Sequence, residues 1–226
     1  RPYRFPKPRR DSCMAEMNAD TAGAESLDFI GEAVKRLSVK PRPPTLYHYT
    51  SPVGLLGILK TVKIWATDIL YLNDFRELVY TIDLAKSVVA EHPERATAIG
   101  NLRHVFNECD NVLTDFPRFR IYVCSFSEDG DLLSQWRAYC PPEGGFAVGI
   151  DSATLADATN ALLLPCNYDE EQQKQIIGEG LELLIATYSR LLERTDDGLD
   201  TYKRIGSEFY QYILTCASSF KHPSFY

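Results

Sequence analysis

The sequence has no apolar run approaching the roughly 18 residues of a membrane-spanning helix, and no charged head followed by an apolar signal core. Membrane is therefore not expected as a partner, and cytoplasm is the expected address. Its six cysteines, at 13, 109, 124, 140, 166 and 216, form no CxxC pair and no Cys/His spacing of the zinc type. A disulfide framework and a metal site are both disfavoured, and several of these cysteines read as small core residues. The net charge of −7 is spread over the whole length with no clustered basic face, so stable nucleic-acid binding is not expected. No GxSxG elbow nominates a nucleophile. Gly144-Gly-Phe-Ala-Val-Gly149 lacks the GxGxxG and P-loop spacings and is flanked as a strand, where glycine lets backbones approach closely. The carboxylates of Glu179 and Glu182 fit a solvated helix face better than an acid/base pair.

What is present is ordinary globular usage with an aromatic excess: 45% apolar, 24% charged and 12% aromatic over 226 residues, with 13 Tyr and 11 Phe. That length supports one large domain with a sizeable core. Arg1 to Ser12 is basic and proline-rich and Met14 reads as the true start, so residues 1–25 are expected to be disordered or read-through from upstream. Asp28 to Leu37 suits a short amphipathic helix, and Lys40-Pro-Arg-Pro-Pro44 reads as a rigid linker. This makes 1–44 an extension and 45–226 a single domain.

From Thr45 the pattern is short and alternating. Leu46 to Tyr49 is a strand candidate, and Ser51-Pro52 is a helix start with a hydroxyl cap and proline at the first position, running to about Lys60. Lys63 to Thr67 is a second strand, and Asp74-Phe-Arg-Glu77 has the spacing of a capping box opening a helix. A helix is predicted over about 94–114, then a strand at Ile121 to Phe126, a short helix with Leu132, Leu133 and Trp136, and strands at Gly145 to Ile150 and Leu162 to Asn167. Two long helices follow, one through Ile177, Leu181 and Leu184, the other through Phe209, Tyr212 and Cys216. The expected class is α+β: a small split or mixed sheet with short helices between strands and long C-terminal helices.

Two blocks can carry chemistry. His48, between Tyr47 and Tyr49, is the only histidine in a predicted strand and precedes a helix start, which is good ground for gripping an anionic or hydroxyl-bearing ligand. The alternative is a half-buried histidine bonded to backbone. Beyond it, Trp65, Tyr71, Asn73 and Asp74 offer aromatic faces and polar edges, although Asn73 and Asp74 equally suit helix caps and Trp65 equally suits the core. In the second block Gln135 and Tyr139 share a helix face, and Arg137 presents a planar fork for a phosphate or a carboxylate.

These blocks contain the words Leu46-Tyr-His-Tyr-Thr50, Ile64-Trp-Ala-Thr-Asp68, Tyr71-Leu-Asn-Asp74 and Asp131-Leu-Leu-Ser-Gln-Trp-Arg-Ala-Tyr139. Over residues 46–226 the chain resembles the bacterial family catalogued as domain of unknown function 2971. The His48 block is also similar, more loosely, to ADP-ribosyltransferase folds, including DNA-targeting toxins. That resemblance implies NAD as substrate, with His48 on a ribose hydroxyl and Tyr71 or Trp65 stacked on nicotinamide. Gln135 and Arg137 are then pocket residues, with Tyr49, Asn73, Asp74 and Trp136 completing the binding set. A later glutamate would stabilise positive charge developing on the ribose. Members of the family continue from a Phe-Lys-His-Pro-x-Phe word into an acidic strand, whereas this sequence stops at Phe220-Lys-His-Pro-Ser-Phe-Tyr226. The implied function is a toxin or phage-defence domain of ADP-ribosyltransferase type, a fragment or a product lacking its catalytic strand. The alternative is a non-catalytic ligand-binding, sensor or protein-interaction module. Oligomeric state stays open.

Overall fold

The computed structural model describes residues 28–69, 75–91, 121–158, 161–192 and 198–223. In chain order the elements are α1 (Phe29–Leu37), β1 (Thr45–Thr50), α2 (Pro52–Thr61), β2 (Thr67–Asp68), α3 (Phe75–Ala90), β3 (Tyr122–Val123), α4 (Leu133–Tyr139), β4 (Phe146–Asp151), α5 (Ser152–Ala158), α6 (Glu170–Leu192) and α7 (Gly198–Ser219). The class is α+β, with a helical layer and a separate small β layer. No helix among the described residues is long and apolar enough to cross a membrane.

The main core lies between α1, α3, α6 and α7. Leu78, Ile82 and Ala85 of α3 recur at helical spacing, and they meet Ile177, Leu181 and Leu184 of α6 and Phe209, Tyr212 and Ile213 of α7. Tyr212 is fully buried, its hydroxyl donates to Ile176 O at 2.7 Å, and burial pushes the phenol pKa up. Gly180 makes room for that ring, because a Cβ there would overlap it. Helix α1, which falls within the expected extension, packs into this core. The carboxylate of Asp28 accepts from Gly31 N at 2.8 Å to start α1, and Phe29, Ala33 and Leu37 then bury one face against α6 and α7. Arg36 fastens the same helix by donating to Glu179 Oε2 at 2.9 Å. The folded body thus begins ahead of the proline linker.

The β layer is a split antiparallel sheet. β1 pairs with β4 from Thr45↔Asp151 to Thr50↔Phe146, and β2 pairs with β3. A single bridge, Tyr47↔Ser127, carries the chain after β3 alongside β1. Among the described residues β1 is therefore interior and β4 is an edge.

The second strand lies at Thr67–Asp68 rather than at Lys63 to Thr67, and the helix predicted over 94–114 falls outside the described residues. Leu162 to Asn167 is not a strand. Pro165 has no N–H to give a ladder, and only Asn167 pairs, in a parallel bridge with Phe220. Asp74 also lies outside the described residues. Glu77, expected to complete a capping box with it, is buried and ion-paired to Lys221 of the C-terminal segment. Gln173, also buried, holds that segment by donating to Asn167 O (2.7 Å) and Lys221 O (2.9 Å).

Candidate functional site

Strand alternation puts His48 and Tyr49 on opposite faces of β1, and their surroundings differ in kind. Tyr49 is 5% exposed; its hydroxyl donates to Asp129 O at 2.9 Å and accepts from Leu132 N at 2.9 Å. The Trp136 ring meets Tyr49 edge-on, with centroids 4.9 Å apart, and its Nε1 donates to Asp131 Oδ1 at 2.9 Å. The two sequence blocks do meet, but through a clip that fixes residues 129–136 onto β1. Tyr49 and Trp136 hold the frame and present no free polar edge toward a ligand. Tyr47 braces the same loop. Its ring lies against Gly130, where a Cβ would come within 2.6 Å of Cε1, so that turn accepts no side chain without moving.

His48 is only half-buried and loosely held. Its Nδ1 stands 3.4 Å from Ser125 O and 3.9 Å from Cys124 Sγ, and its ring is tilted against Phe126 at 5.8 Å. One nitrogen cannot serve both neighbours: protonated, Nδ1 faces the carbonyl, and bare, it accepts from the thiol. Burial pushes the Cys124 thiol up to about 11, so at neutral pH it is a thiol beside the imidazole and not a thiolate. Cys124 is the neighbour that sequence reasoning missed, since only the Tyr47↔Ser127 pairing brings residue 124 close to residue 48. Among the described residues no carboxylate hydrogen-bonds to His48.

Gln135 is half-buried and Arg137 is exposed on α4. Trp65, offered either as a stacking aromatic or as core, is 87% exposed. Tyr71, Asn73 and Asp74 lie outside the described residues. An open groove of ≈ 690 Å³ runs between α3 and α6, past Val88, Glu91, Asp169, Gln172 and Glu182, away from both blocks. No group of three or more metal-ligating side chains occurs among the described residues.

One feature of the β layer was not anticipated. Ser51 caps α2 by accepting from Gly54 N at 3.1 Å, as expected, yet α2 buries none of its residues. Gly54, Leu55 and Ile58 are half-covered by β1 and β4, while Val53 (79% exposed), Leu56 (53%) and Leu59 (66%) point outward. Val62, which ends the helix, and Trp65 are exposed as well, at 75% and 87%. From Ser51 to Thr67 the only charges are Lys60 and Lys63. Comparison with family models, with curated proteins and with solved structures gave no match, so this local geometry carries the functional argument.

Proposed function

We propose that the chain acts as a non-catalytic interaction module whose contact surface is α2 with Trp65. The observation that carries this reading is the outward face of α2, where Val53, Leu56 and Leu59 stand exposed with Lys60 as the single charge. A water-exposed helix ordinarily turns charge outward, and contiguous exposed apolar surface marks a binding site. An apolar fluorescent dye tests it. The folded chain at low concentration is expected to bind the dye, and a Leu56→Glu/Leu59→Glu variant with an unchanged circular-dichroism spectrum to lose most of that signal. A folded wild-type chain that binds no dye overturns the reading.

A second reading follows the resemblance to domain of unknown function 2971 and to ADP-ribosyltransferase folds, with NAD or ADP-ribose at His48. It is favoured by the loose hold on the imidazole, whose contacts to Ser125 O and Cys124 Sγ are long at 3.4 and 3.9 Å, in contrast to Tyr49 and Trp136. A ligand at a hundred times its dissociation constant adds about 2.7 kcal/mol of stability. NAD or ADP-ribose should then raise the melting temperature, and His48→Ala should remove the shift. Identical melting with and without either nucleotide sinks this reading.

A further inference from the structure

We infer that the open edge of β4 and the outward face of α2 form one self-association surface, and that its occupant is a second copy of this chain. The inference rests on the interaction-module reading and names its partner.

The backbone directions along β1 settle which groups of β4 are unpaired among the described residues. Tyr47 exchanges both of its backbone bonds with Ser127, at 2.8 and 2.9 Å, so its N–H and C=O point away from β4. Alternation then turns Leu46, His48 and Thr50 toward β4, where they face Ile150, Val148 and Phe146. The N–H and C=O groups of Ala147 and Gly149 and the N–H of Asp151 consequently point to the open edge, whereas Asp151, whose side chain caps α5 by accepting from Thr154 N, gives its C=O to the first turn of that helix. Phe146–Asp151 contains no proline, lysine or bulge, the devices that usually blunt such an edge.

This edge is self-complementary. Antiparallel pairing about a twofold at Gly149 sets Gly149 opposite its own copy, where two backbone bonds are exchanged, and Ala147 opposite Asp151, where the Asp151 N–H donates to Ala147 O. No like charges are opposed. The same operation serves α2, which rests against both β1 and β4. Its copy would lie two strand spacings away, about 10 Å, which is the distance at which helices pack side by side. One twofold thus pairs the unpaired edge and covers the bare helix flank on both copies, as a closed isologous dimer requires. Lys60, the single charge on the exposed face, has a stem long enough to keep its ammonium in water. The contact is small, so affinity should be micromolar, roughly 1–100 μM.

Sedimentation velocity on the whole chain, from about 1 to about 200 μM, tests this. Ala147→Pro removes an outward N–H while leaving the bonds to β1 in place, and Leu56→Glu charges the helix face; circular dichroism checks that each variant is folded. The expected result is a wild-type monomer–dimer equilibrium that each substitution weakens at least tenfold. A dimer indifferent to both substitutions places the interface elsewhere and overturns the inference, as does a wild-type chain that stays monomeric or binds anionic vesicles as a monomer. Dye binding by a chain that never dimerises would sink this inference and leave the module reading standing; no dye and no dimer would sink both.

Discussion

Tyr49 and Trp65 belong to the same aromatic stretch of sequence, yet truncating them should have opposite consequences. Tyr49→Phe deletes one oxygen that both donates to Asp129 O and accepts from Leu132 N, leaving two backbone groups without their partner. Equilibrium denaturation should show a loss of about 1–3 kcal/mol. Trp65→Ala touches nothing packed and should stay within about 0.5 kcal/mol of wild type. If both cost the same, the clip around Tyr49 is not what holds the loop. Cys124 gives a second residue-scale outcome. Its folded value of about 11 against an ordinary thiol's 9.0 means that roughly one thiol in a thousand is ionised near pH 8. Alkylation of Cys124 in the folded chain, followed by peptide mass, should keep rising about tenfold per pH unit up to pH 10, and in denaturant it should level off near 9. Because the folded pKa is raised, the associated stability is present below the unfolded value and fades as pH climbs through the folded one. Levelling near 9 in the folded chain would show an open thiol.

At the scale of elements, what was legible in the sequence was what is local. Ser51-Pro52 announces α2 because cap and proline act within one turn, and β1, α3, α4, β4, α6 and α7 all begin or run where periodicity puts them. The Tyr49–Trp136–Asp131 clip and the Cys124 neighbour of His48 depend on partners some 75 or more residues away, which no local pattern reveals. Nor was α1 readable as core, since the linker Lys40 to Pro44 resembles a boundary while Ser152 Oγ and N hold Pro43 O and Pro44 O against the sheet. The end of α2 hides another such surprise. Val62 closes the helix at φ 53° and ψ 39°, a left-handed conformation that a β-branched side chain adopts only at a cost of about 1–2 kcal/mol. Its N–H still reaches Ile58 O at 2.7 Å, so the capping geometry itself is sound. Since Val62 is 75% exposed, Val62→Gly removes strain without opening a cavity. The expected gain is about 1 kcal/mol, read as a higher denaturation midpoint; a loss would mean that the side chain is covered in solution.

On the scale of the whole molecule the two layers are unequal. The main core draws on α1, α3, α6 and α7, and the β layer contributes only a few buried side chains, such as Leu46 and Tyr49 of β1 and Ile69 just after β2. Amide exchange should therefore be slowest in α6 and α7 and faster in the β1–β4 pair, whose edge is open. The core also explains why a fragment starting at the apparent boundary should fail. A chain beginning at Thr45 loses Phe29, Ala33 and Leu37 from the core and the Arg36–Glu179 pair from its rim. Losing a buried Phe and a buried Leu costs roughly 5–10 kcal/mol together, against a total stability of about 5–15 kcal/mol for a domain. Such a chain should lose its cooperative thermal transition and the slow exchange of α6 and α7, whereas the full chain keeps both. A sharp melt within a few degrees of the full chain's would instead show that α1 only rests on a core able to close without it.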